Sequence, residues 1–399
     1  MKNNSKEEYK SQKLLITIED VLSCPGQCPG CLTSLQDRRS REPSMAKEVM
    51  HSLIDRIEEY MSVNTFRSIE IVLVIGDHLY LDLSYIKSLY TMFVERFGDK
   101  LAHDDSRFVF SAALYQHYDA LYSYAKELKS INDKRIPLQI NAVLDPLNIQ
   151  RRASLWNEQL KFIDDCYNKL GFPIEVSMNL SVLAANAMSP REYYIVAKDF
   201  NLPEIIVNWT PSINNMAYTY SDLKIIENWI QEFTELLLND DDLTSDYIEA
   251  LLSRRDSLLG LDTIEGLNQQ IKPLVKNYLY IDSDGNILPR FDAVGDLPHH
   301  KTFGYNPSYN IREHSLEEAV DGIYREVARS MLKSTTLDSC QSCIHKSFCT
   351  LSGYHVYTDL LRHSSKFDIL KNSPLHKDRC PHIGKVVFDT VFKEKDDKH

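Results

Sequence analysis

The chain has 399 residues, of which 43% are hydrophobic and 26% are charged, and its formal net charge is −12. Length and apolar content predict a soluble globular protein of two or more domains. The negative charge argues against non-specific nucleic-acid binding, which needs a basic face to neutralise phosphates. No apolar run approaches the roughly 20 residues that cross a bilayer, and the polar N-terminus lacks the apolar core of a secretory signal. We therefore expect a cytoplasmic protein with no membrane or nucleic-acid partner.

Strand-like and helix-like segments alternate from residue 14 to about residue 208. Alternation of this kind indicates right-handed βαβ units and a parallel sheet. Periodicity alone does not distinguish a partial barrel from an open, doubly wound sheet. Strands are predicted at 14–19, 69–75, 107–114, 137–143, 174–180 and 204–208. Helices are predicted at 43–62, 82–97, 117–130, 148–170 and 190–199.

The pattern changes in the second half of the chain. Residues 213–272 are polar and helical, and residues 278–288 (YLYIDSDGNIL) form two β-runs around an Asp-Gly turn, which predicts a hairpin. A further helix is predicted at 315–333. The predicted organisation is an N-terminal tail at 1–13, an α/β domain at 14–212, a helical linker region at 213–274, a small α+β domain at 275–390 and a charged tail at 391–399.

Seven of the eight cysteines form two groups, and the eighth, Cys166, lies alone in a helical pattern. Structural disulfides are rare in a reducing compartment, so grouped thiols there indicate metal or redox chemistry. We interpret Cys166 as a buried, inert thiol. The two groups are Cys24, Cys28 and Cys31 near the start of the chain, and Cys340, Cys343, Cys349 and Cys380 near its end.

Residues 24–31, the first cysteine loop, read CPGQCPGC, with the spacing C-x3-C-x2-C. Three thiolates on one short loop can hold three corners of a cubane cluster and leave the fourth iron open for catalysis. The alternative is structural zinc, which normally takes four ligands. No fourth cysteine or histidine lies nearby, since the next histidine, His51, falls in a predicted helix. The loop also follows a strand end, where α/β folds place their active sites.

This spacing after a first short strand resembles the radical S-adenosylmethionine (SAM) superfamily. The resemblance implies a partial (β/α)6 TIM-type barrel and a [4Fe–4S] cluster whose unique iron binds SAM. It further implies reductive cleavage of SAM to a 5′-deoxyadenosyl radical, which abstracts a hydrogen atom from the substrate. One position departs from the family: Gly30 stands where many members carry an aromatic residue that packs near the adenine.

Residues 75–78 read Ile-Gly-Asp-His at the end of the second predicted strand. Many superfamily members carry a Gly-Gly-Glu-Pro-like stretch there, facing the methionine amino group. The resemblance therefore makes Gly76 a site of close backbone approach and Asp77 a partner for an ammonium. The alternative is an ordinary turn between a strand and a loop.

Three further positions match by their place in the fold. In related enzymes, a Ser or Asn at the end of the fourth strand contacts the ribose, and a basic residue on the next helix pairs with the methionine carboxylate. Asn141 and either Arg151 or Arg152 are the candidates here, although arginines on a helix are more often solvated. Ser177, in the fifth strand, is a further candidate for lining the SAM site.

The second cysteine group has the spacing C-x2-C-x5-C, with Cys380 following later, and is compatible with a [4Fe–4S] cluster or structural zinc. Its place after a hairpin and a helix resembles the SPASM extension of peptide- and protein-modifying radical SAM enzymes. That family carries further cysteines where this chain has Gly353 and Arg290, and no cysteine lies between Cys166 and Cys340. We therefore expect one auxiliary [4Fe–4S] cluster, with a structural or electron-transfer role.

The leading hypothesis is a radical SAM oxidoreductase that modifies a peptide or protein, supplied with electrons by a reductase such as flavodoxin or ferredoxin. One alternative is a radical SAM oxidoreductase acting on a small molecule such as a carbohydrate alcohol. Another is a non-catalytic protein stabilised by zinc or an iron–sulfur cluster. No catalytic acid or base can be singled out, although Glu19, Asp20, His78 and Tyr115 lie near predicted strand ends.

Overall fold

The structure of the protein is a computed structural model that describes residues 13–26, 35–101, 105–147, 153–172, 174–200, 205–209, 220–240, 264–289, 307–332, 386 and 389–390. The strands in these ranges are β1 (Lys13–Val21), β2 (Ser68–Ile75), β3 (Arg107–Ala112), β4 (Leu138–Leu144), β5 (Ile174–Leu180), β6 (Ile205–Trp209), β7 (Tyr278–Ile281), β8 (Asn286–Pro289) and β9 (Tyr309–Asn310). The helices are α1 (Leu35–Arg39), α2 (Lys47–Val63), α3 (Leu83–Phe97), α4 (Tyr118–Ile131), α5 (Ala153–Asp165), α6 (Val182–Ala187), α7 (Pro190–Asp199), α8 (Tyr220–Leu238), α9 (Ile264–Asn277) and α10 (Leu316–Leu332).

The strands form one nine-stranded sheet in the order β6-β5-β4-β3-β2-β1-β7-β8-β9. From β1 to β6, each strand is parallel to its neighbours. Because each of these strands lies beside the one before it in the chain, right-handed crossovers put the intervening helices on one face. A doubly wound sheet would reverse its strand order partway. The observed order therefore decides between the two alternatives, and the predicted partial TIM-type barrel is confirmed.

All six predicted strands of the α/β region are present, with ends that move by three residues or fewer. Among the predicted helices, 148–170 differs most: α5 ends at Asp165 and a π-helical turn, Cys166–Leu170, follows it. Helix starts follow their capping residues. Ser189 and Glu192 form a capping box at α7, whose first residue is Pro190. Asp82 accepts the backbone N–H of Ser84 at the start of α3.

The helix-covered face of the sheet is the apolar core. Ile71 of β2 lies opposite Phe108 of β3, and Phe108 lies opposite Leu138 of β4. All three side chains are buried. Phe108 also packs against α3, with ring centroids 5.6 Å from Tyr90 and 5.4 Å from Phe93. The regular alternation along each strand therefore leaves the other, concave face to a different set of side chains.

The hairpin predicted at 278–288 is present, and it joins the barrel sheet. β7 runs parallel to β1, while β8 and β9 follow in antiparallel pairs. Gly285 has a φ of 82° in the turn between β7 and β8, which a residue without a side chain adopts readily. The domain boundaries themselves stay a prediction. In the described ranges, no helix is long and apolar enough to cross a membrane.

We expect Phe108→Ala to lower the free energy of unfolding by about 3–5 kcal/mol, because it leaves a cavity between β3 and α3. Denaturant titration followed by circular dichroism measures the change. Val63→Ala is the control, since Val63 is 61% exposed at the end of α2 and its truncation should cost less than about 0.5 kcal/mol. Equal losses in the two variants would contradict this account of the core.

Candidate active site

The first cysteine loop leaves the carboxyl end of β1 and is held at its start by α1. The backbone N–H of Cys24 donates to the carbonyl of Arg38, over 3.0 Å. The guanidinium of Arg38 donates to the carbonyl of Gly26, also over 3.0 Å. The helix and the start of the loop therefore each donate one hydrogen bond to the other. Cys28 and Cys31, the other two cysteines of the group, lie outside the described residues.

Gly26 lies next to both the sulfur of Cys24 and the ring of Tyr115. Its backbone N–H donates to Cys24 Sγ over 3.3 Å. A Cβ on residue 26 would lie 3.1 Å from that sulfur and 2.9 Å from Cε2 of Tyr115. Because both distances are shorter than ordinary van der Waals contact, the position favours glycine. A glycine at residue 26 therefore leaves room for an aromatic ring.

The end of β2 comes into backbone contact with the end of β1. A Cβ on Gly76 would lie 2.4 Å from the carbonyl oxygen of Val21, so no side chain fits there. The N–H of Asp77 donates to the carbonyl of Ser23 over 2.7 Å, directly before the first cysteine loop. Ile75, which precedes Gly76, has a φ of 82°, a strained conformation for a β-branched residue. Gly76 thus approaches β1 closely, and its predicted approach to a ligand stays a prediction.

Asp77 is fully buried, and it caps the start of a short 3-10 turn, His78–Tyr80. It accepts the N–H of Leu79 over 3.2 Å. Burial raises the pKa of Asp77 to about 6, against the backbone amides of Ala113, Leu79 and Tyr80 and the charge of His78, which lower it. The predicted contact between Asp77 and a ligand ammonium stays a prediction, and the carboxyl lies inside the protein at the joint of β1, β2 and β3.

His78 forms a buried ion pair beneath the first cysteine loop. Its Nε2 lies 2.8 Å from Asp20 Oδ1, and its Nδ1 lies 2.8 Å from the carbonyl oxygen of Ser111. A carbonyl and a carboxylate only accept hydrogen bonds, so we assign a proton to both ring nitrogens. Burial lowers the pKa of His78, but Asp20, the Ser111 carbonyl and Asp77 together outweigh it and raise that pKa. Tyr85 of α3 donates to the other oxygen of Asp20 over 2.8 Å.

Two consecutive carboxylates near the end of β1 are both buried, because successive side chains of a strand point to opposite faces of the sheet. The pairing between β1 and β2 is irregular between Ile18 and Val21. Asp20 faces His78 and Tyr85, whereas the hydroxyl of Tyr280 donates to Glu19 across the β1–β7 pair. The two carboxylates therefore have different functions in the fold, although both precede the first cysteine loop.

Asn141 and Ser177, two of the predicted SAM contacts, lie together in the structure. The hydroxyl of Ser177 donates to Asn141 Oδ1 over 3.0 Å, and the Asn141 amide lies 3.5 Å from Glu175 Oε2. Register places Asn141 opposite both Ser111 and Glu175. These side chains belong to the concave face, opposite the apolar core. Their contact with a ligand stays a prediction.

Ion pairs extend this polar row across the concave face. Arg107 binds Glu175 over 2.7 Å and Glu70 over 2.9 Å, and Lys13 binds Glu70 over 2.6 Å. Burial raises the pKa of Glu70, but Arg107 and Lys13 outweigh it and lower that pKa. Burial raises the pKa of Glu175, and Arg107 offsets only part of that effect. Alternating charges therefore line the amino-terminal part of β1, β2, β3 and β5.

Sequence reasoning missed the residues that hold the first cysteine loop. Arg38 carries no signal, because a basic residue at a helix end is common. Gln159 does carry a signal in the sequence, because it is a polar residue within the apolar stripe of α5. In the structure it is fully buried. Tyr115 was noted only for its place near a strand end. The interpretation of Cys166 is confirmed, since the thiol is buried and burial raises its pKa to about 12.

Several predicted site residues lie outside the described residues. In the ranges that the structure describes, no group of three or more His, Cys, Asp or Glu side chains is arranged to hold a metal ion. The affected residues are Cys28, Cys31, Arg151, Arg152, Cys340, Cys343, Cys349 and Cys380.

Solved structures with the same overall fold were found. One is a structure of anSMEcpe with bound AdoMet, with a TM-score of 0.59 and 13% identity, covering 96% of this chain and 94% of that chain. A second is anSMEcpe with bound AdoMet and Kp18Cys peptide, with a TM-score of 0.59 and 12% identity, covering 96% and 98%. A third is Streptococcus suis SuiB bound to S-adenosylmethionine, with a TM-score of 0.54 and 13% identity, covering 94% and 79%.

No protein-family model and no curated protein matches the sequence. The solved structures are radical SAM enzymes, and this chain has their fold. The predicted SPASM-like extension stays a prediction, because its cysteines lie outside the described residues.

The described part of the site fits a [4Fe–4S] cluster. Cys24 lies at the carboxyl edge of a parallel sheet, where its thiolate would be a soft ligand, and its sulfur accepts a backbone N–H from Gly26. Its loop is bound to α1, and Ser23, the residue before the loop, is bound to Asp77 after β2. Fixed donors of this kind orient metal ligands.

We expect Asp77→Asn to remove a pH dependence of folding stability. The native pKa of about 6 lies above the ordinary value of 3.8, so protonation stabilises the native state at acidic pH, and this contribution is lost as pH rises through about 6. Denaturant titrations between about pH 4 and pH 8 should show the stability of the wild type, relative to the variant, falling and then levelling off above about pH 6.

Asp82→Asn is the control for that pH series. Asp82 also caps a helix start, but hydrogen bonds from Ser84 hold the pKa of this exposed carboxyl below its usual range. Its contribution is lost only as pH falls below the ordinary value of 3.8, so Asp82→Asn should keep the wild-type dependence on pH between about pH 4 and pH 8. Parallel slopes for the two variants would show that burial of Asp77 does not control its titration.

Proposed function

We propose that the protein is a radical SAM enzyme that acts on a peptide or protein, with a catalytic [4Fe–4S] cluster bound by Cys24, Cys28 and Cys31. The observation that carries the proposal is the place of Cys24. It follows β1 of a partial barrel whose fold is that of radical SAM enzymes, and it begins a C-x3-C-x2-C loop. We also propose an auxiliary cluster on Cys340, Cys343, Cys349 and Cys380.

When bound, the cluster supplies the electron that cleaves SAM to a 5′-deoxyadenosyl radical, which takes a hydrogen atom from the substrate. The residues of this chain bind and orient the first cysteine loop at its start. Gly26 donates its N–H to the Cys24 sulfur, and Arg38 binds the loop through the Gly26 carbonyl. Gly76 lets β2 approach β1 closely enough for Asp77 N–H to bind Ser23. This rigid support is what a precisely oriented reaction requires.

The concave face supplies the polar groups of the proposed SAM site. Ser177 and Asn141 are joined by a hydrogen bond, and the Asn141 amide nitrogen points away from that contact, toward Glu175. The proposed partner of the SAM carboxylate is Arg151 or Arg152, whose guanidinium geometry suits a carboxylate. The ion pairs of Lys13, Glu70 and Arg107 lie toward the amino-terminal end of the same face.

Two findings support a peptide or protein substrate. The order of elements before the second cysteine group resembles the SPASM extension, and the structure contains a hairpin, β7–β8, and a later helix, α10, in that order. One structure with the same fold holds Kp18Cys peptide together with AdoMet, and the match spans nearly the full length of both chains. An external reductase such as flavodoxin or ferredoxin is the proposed electron donor.

Anaerobic reconstitution with iron and sulfide, followed by metal analysis and a dithionite-driven SAM-cleavage assay, tests the proposed cofactors. We expect about 8 iron atoms per chain, as two cubane clusters require, together with formation of 5′-deoxyadenosine. About 4 iron atoms with cleavage retained would leave the second group for zinc or no metal. Zinc alone without cleavage would refute the enzyme and leave a metal-stabilised binding protein.

We expect Cys28→Ala to abolish SAM cleavage and the iron of the catalytic cluster while the barrel stays folded. The control is Cys166→Ala, which removes a buried thiol outside both groups and should keep iron and cleavage. Iron analysis, far-ultraviolet circular dichroism and product chromatography measure the three properties. Formation of 5′-deoxyadenosine by Cys28→Ala would show that the first cysteine loop does not hold the cluster.

A deuterium-transfer experiment separates the substrate classes. Extract from cells grown in deuterated medium is divided into a peptide and protein fraction and a small-molecule fraction, and each is incubated with the reconstituted enzyme and unlabelled SAM. Deuterium in 5′-deoxyadenosine with the first fraction, and its loss after protease treatment, supports a peptide or protein substrate. Label only with the second fraction favours a small molecule such as a carbohydrate alcohol.

A further inference from the structure

We propose that Tyr115 is a positioning residue that holds the N–H of Gly26 on the sulfur of Cys24 and thereby raises the reduction potential of the cluster. The inference rests on the proposed function, in which Cys24 is a cluster ligand. Tyr115 follows β3, two strands away from the loop that it contacts. It contacts the loop through its ring.

The contact between the Tyr115 ring and the first cysteine loop is at Gly26. A Cβ on Gly26 would lie 2.9 Å from Cε2 and 3.4 Å from Cζ of Tyr115, so the ring covers this side of the residue. The same Cβ would lie 3.1 Å from Cys24 Sγ, which accepts the Gly26 N–H over 3.3 Å. The Arg38 guanidinium binds the Gly26 carbonyl. The sulfur therefore binds the peptide N–H before the Gly26 Cα, the guanidinium binds the peptide carbonyl after it, and the ring packs beside the Cα.

Residues 113–116, the Tyr115 turn, are themselves held rigidly. Leu114 has a φ of 53°, which is unusual for a residue with a branched side chain and persists only where the surroundings enforce it. Gln159 of α5 enforces it here: its side-chain amide donates to the carbonyls of Ala113 and Leu114, over 3.1 and 3.2 Å. Gln159 is fully buried, so both bonds are shielded from water.

The second attachment of the turn is to the end of β2. The side-chain amide of Gln116 donates to the carbonyl of Leu79. Leu79 belongs to the 3-10 turn that Asp77 begins, and the N–H of Asp77 binds Ser23 beside the first cysteine loop. The turn that carries Tyr115 is therefore hydrogen-bonded to α5 and to the segment after β2, which itself binds Ser23 beside the loop. These bonds hold the backbone of Tyr115 close to Gly26.

A hydrogen bond to a ligand sulfur stabilises the reduced, more negative state of an iron–sulfur cluster and so raises its reduction potential. Because the Tyr115 ring packs beside Gly26, removing the ring lets the peptide group that carries the Gly26 N–H rotate and weakens its bond to Cys24 Sγ. The reduction potential should then become more negative. A residue with a purely structural role would change stability or iron content without this shift.

The test is a redox titration of the reconstituted cluster, followed by electron paramagnetic resonance and carried out without SAM. All variants carry Cys340→Ala and Cys343→Ala, so that the signal comes from the first cysteine loop. We expect Tyr115→Ala to shift the midpoint potential to a more negative value at unchanged iron content. Tyr115→Phe is the matched control: it keeps the ring and should keep the wild-type potential.

Gln159→Leu acts at a distance and should shift the potential in the same direction as Tyr115→Ala. It tests the proposal if Tyr115→Ala does not fold. An unchanged potential in the folded variants, with a normal cluster, overturns the inference and leaves the proposed function intact. Absence of any cluster in the wild type overturns the proposed function.

A second measurement on the metal-free protein does not need the cluster. The rate at which iodoacetamide alkylates Cys24, localised by tandem mass spectrometry, reports how well Tyr115 and Gly26 cover the sulfur. We expect a several-fold faster reaction in Tyr115→Ala than in the wild type, and a wild-type rate in Tyr115→Phe. Equal rates in Tyr115→Ala and the wild type overturn the positioning contact itself.

Discussion

At the carboxyl ends of β1 and β2, the carbonyl oxygen of Val21 lies where a side chain on residue 76 would have to be, so only glycine fits. This close approach lets the N–H of Asp77 bind the carbonyl of Ser23, immediately before Cys24. The geometry of the first cysteine loop depends on that contact, because the start of the loop is then determined by two neighbouring strands. The strained backbone of Ile75 is a cost that comes with it.

The same joint explains an unusual concentration of buried charge. His78 follows Asp77 directly and lies between the Asp20 carboxylate and the Ser111 carbonyl, so it connects β1 with β3 across the end of β2. A charged imidazole is tolerable in a dry environment only because both of its N–H groups have acceptors. Removing Asp20 or His78 alone would leave an uncompensated buried charge, whereas the pair together keeps three strand ends in register.

The two faces of the sheet have opposite chemistry because the strand order puts every helix of the α/β region on one side. Phe108 and its neighbours are buried by α3, while Arg107, one residue earlier, joins Glu70 and Glu175 on the concave face. The paired charges balance each other, and the row ends in the hydrogen bond between Ser177 and Asn141. A barrel interior that is polar but internally paired can present its remaining groups to a polar ligand without unfolding in its absence.

The sequence by itself determined the elements and the chemistry of the ligands. Alternation of apolar runs located β1 to β6 and their helices, because periodicity is a local property of the chain, and the spacing of Cys24, Cys28 and Cys31 indicated an open cluster site. Only the tertiary structure decided between a barrel and a doubly wound sheet, since both have the same local pattern and differ in strand order. It alone attached the β7 hairpin to β1. It also brought Tyr115 and Arg38 to the first cysteine loop, and Gln159 to the turn that carries Tyr115. Contacts between residues distant in sequence depend on how the strands are arranged and leave no periodic signal.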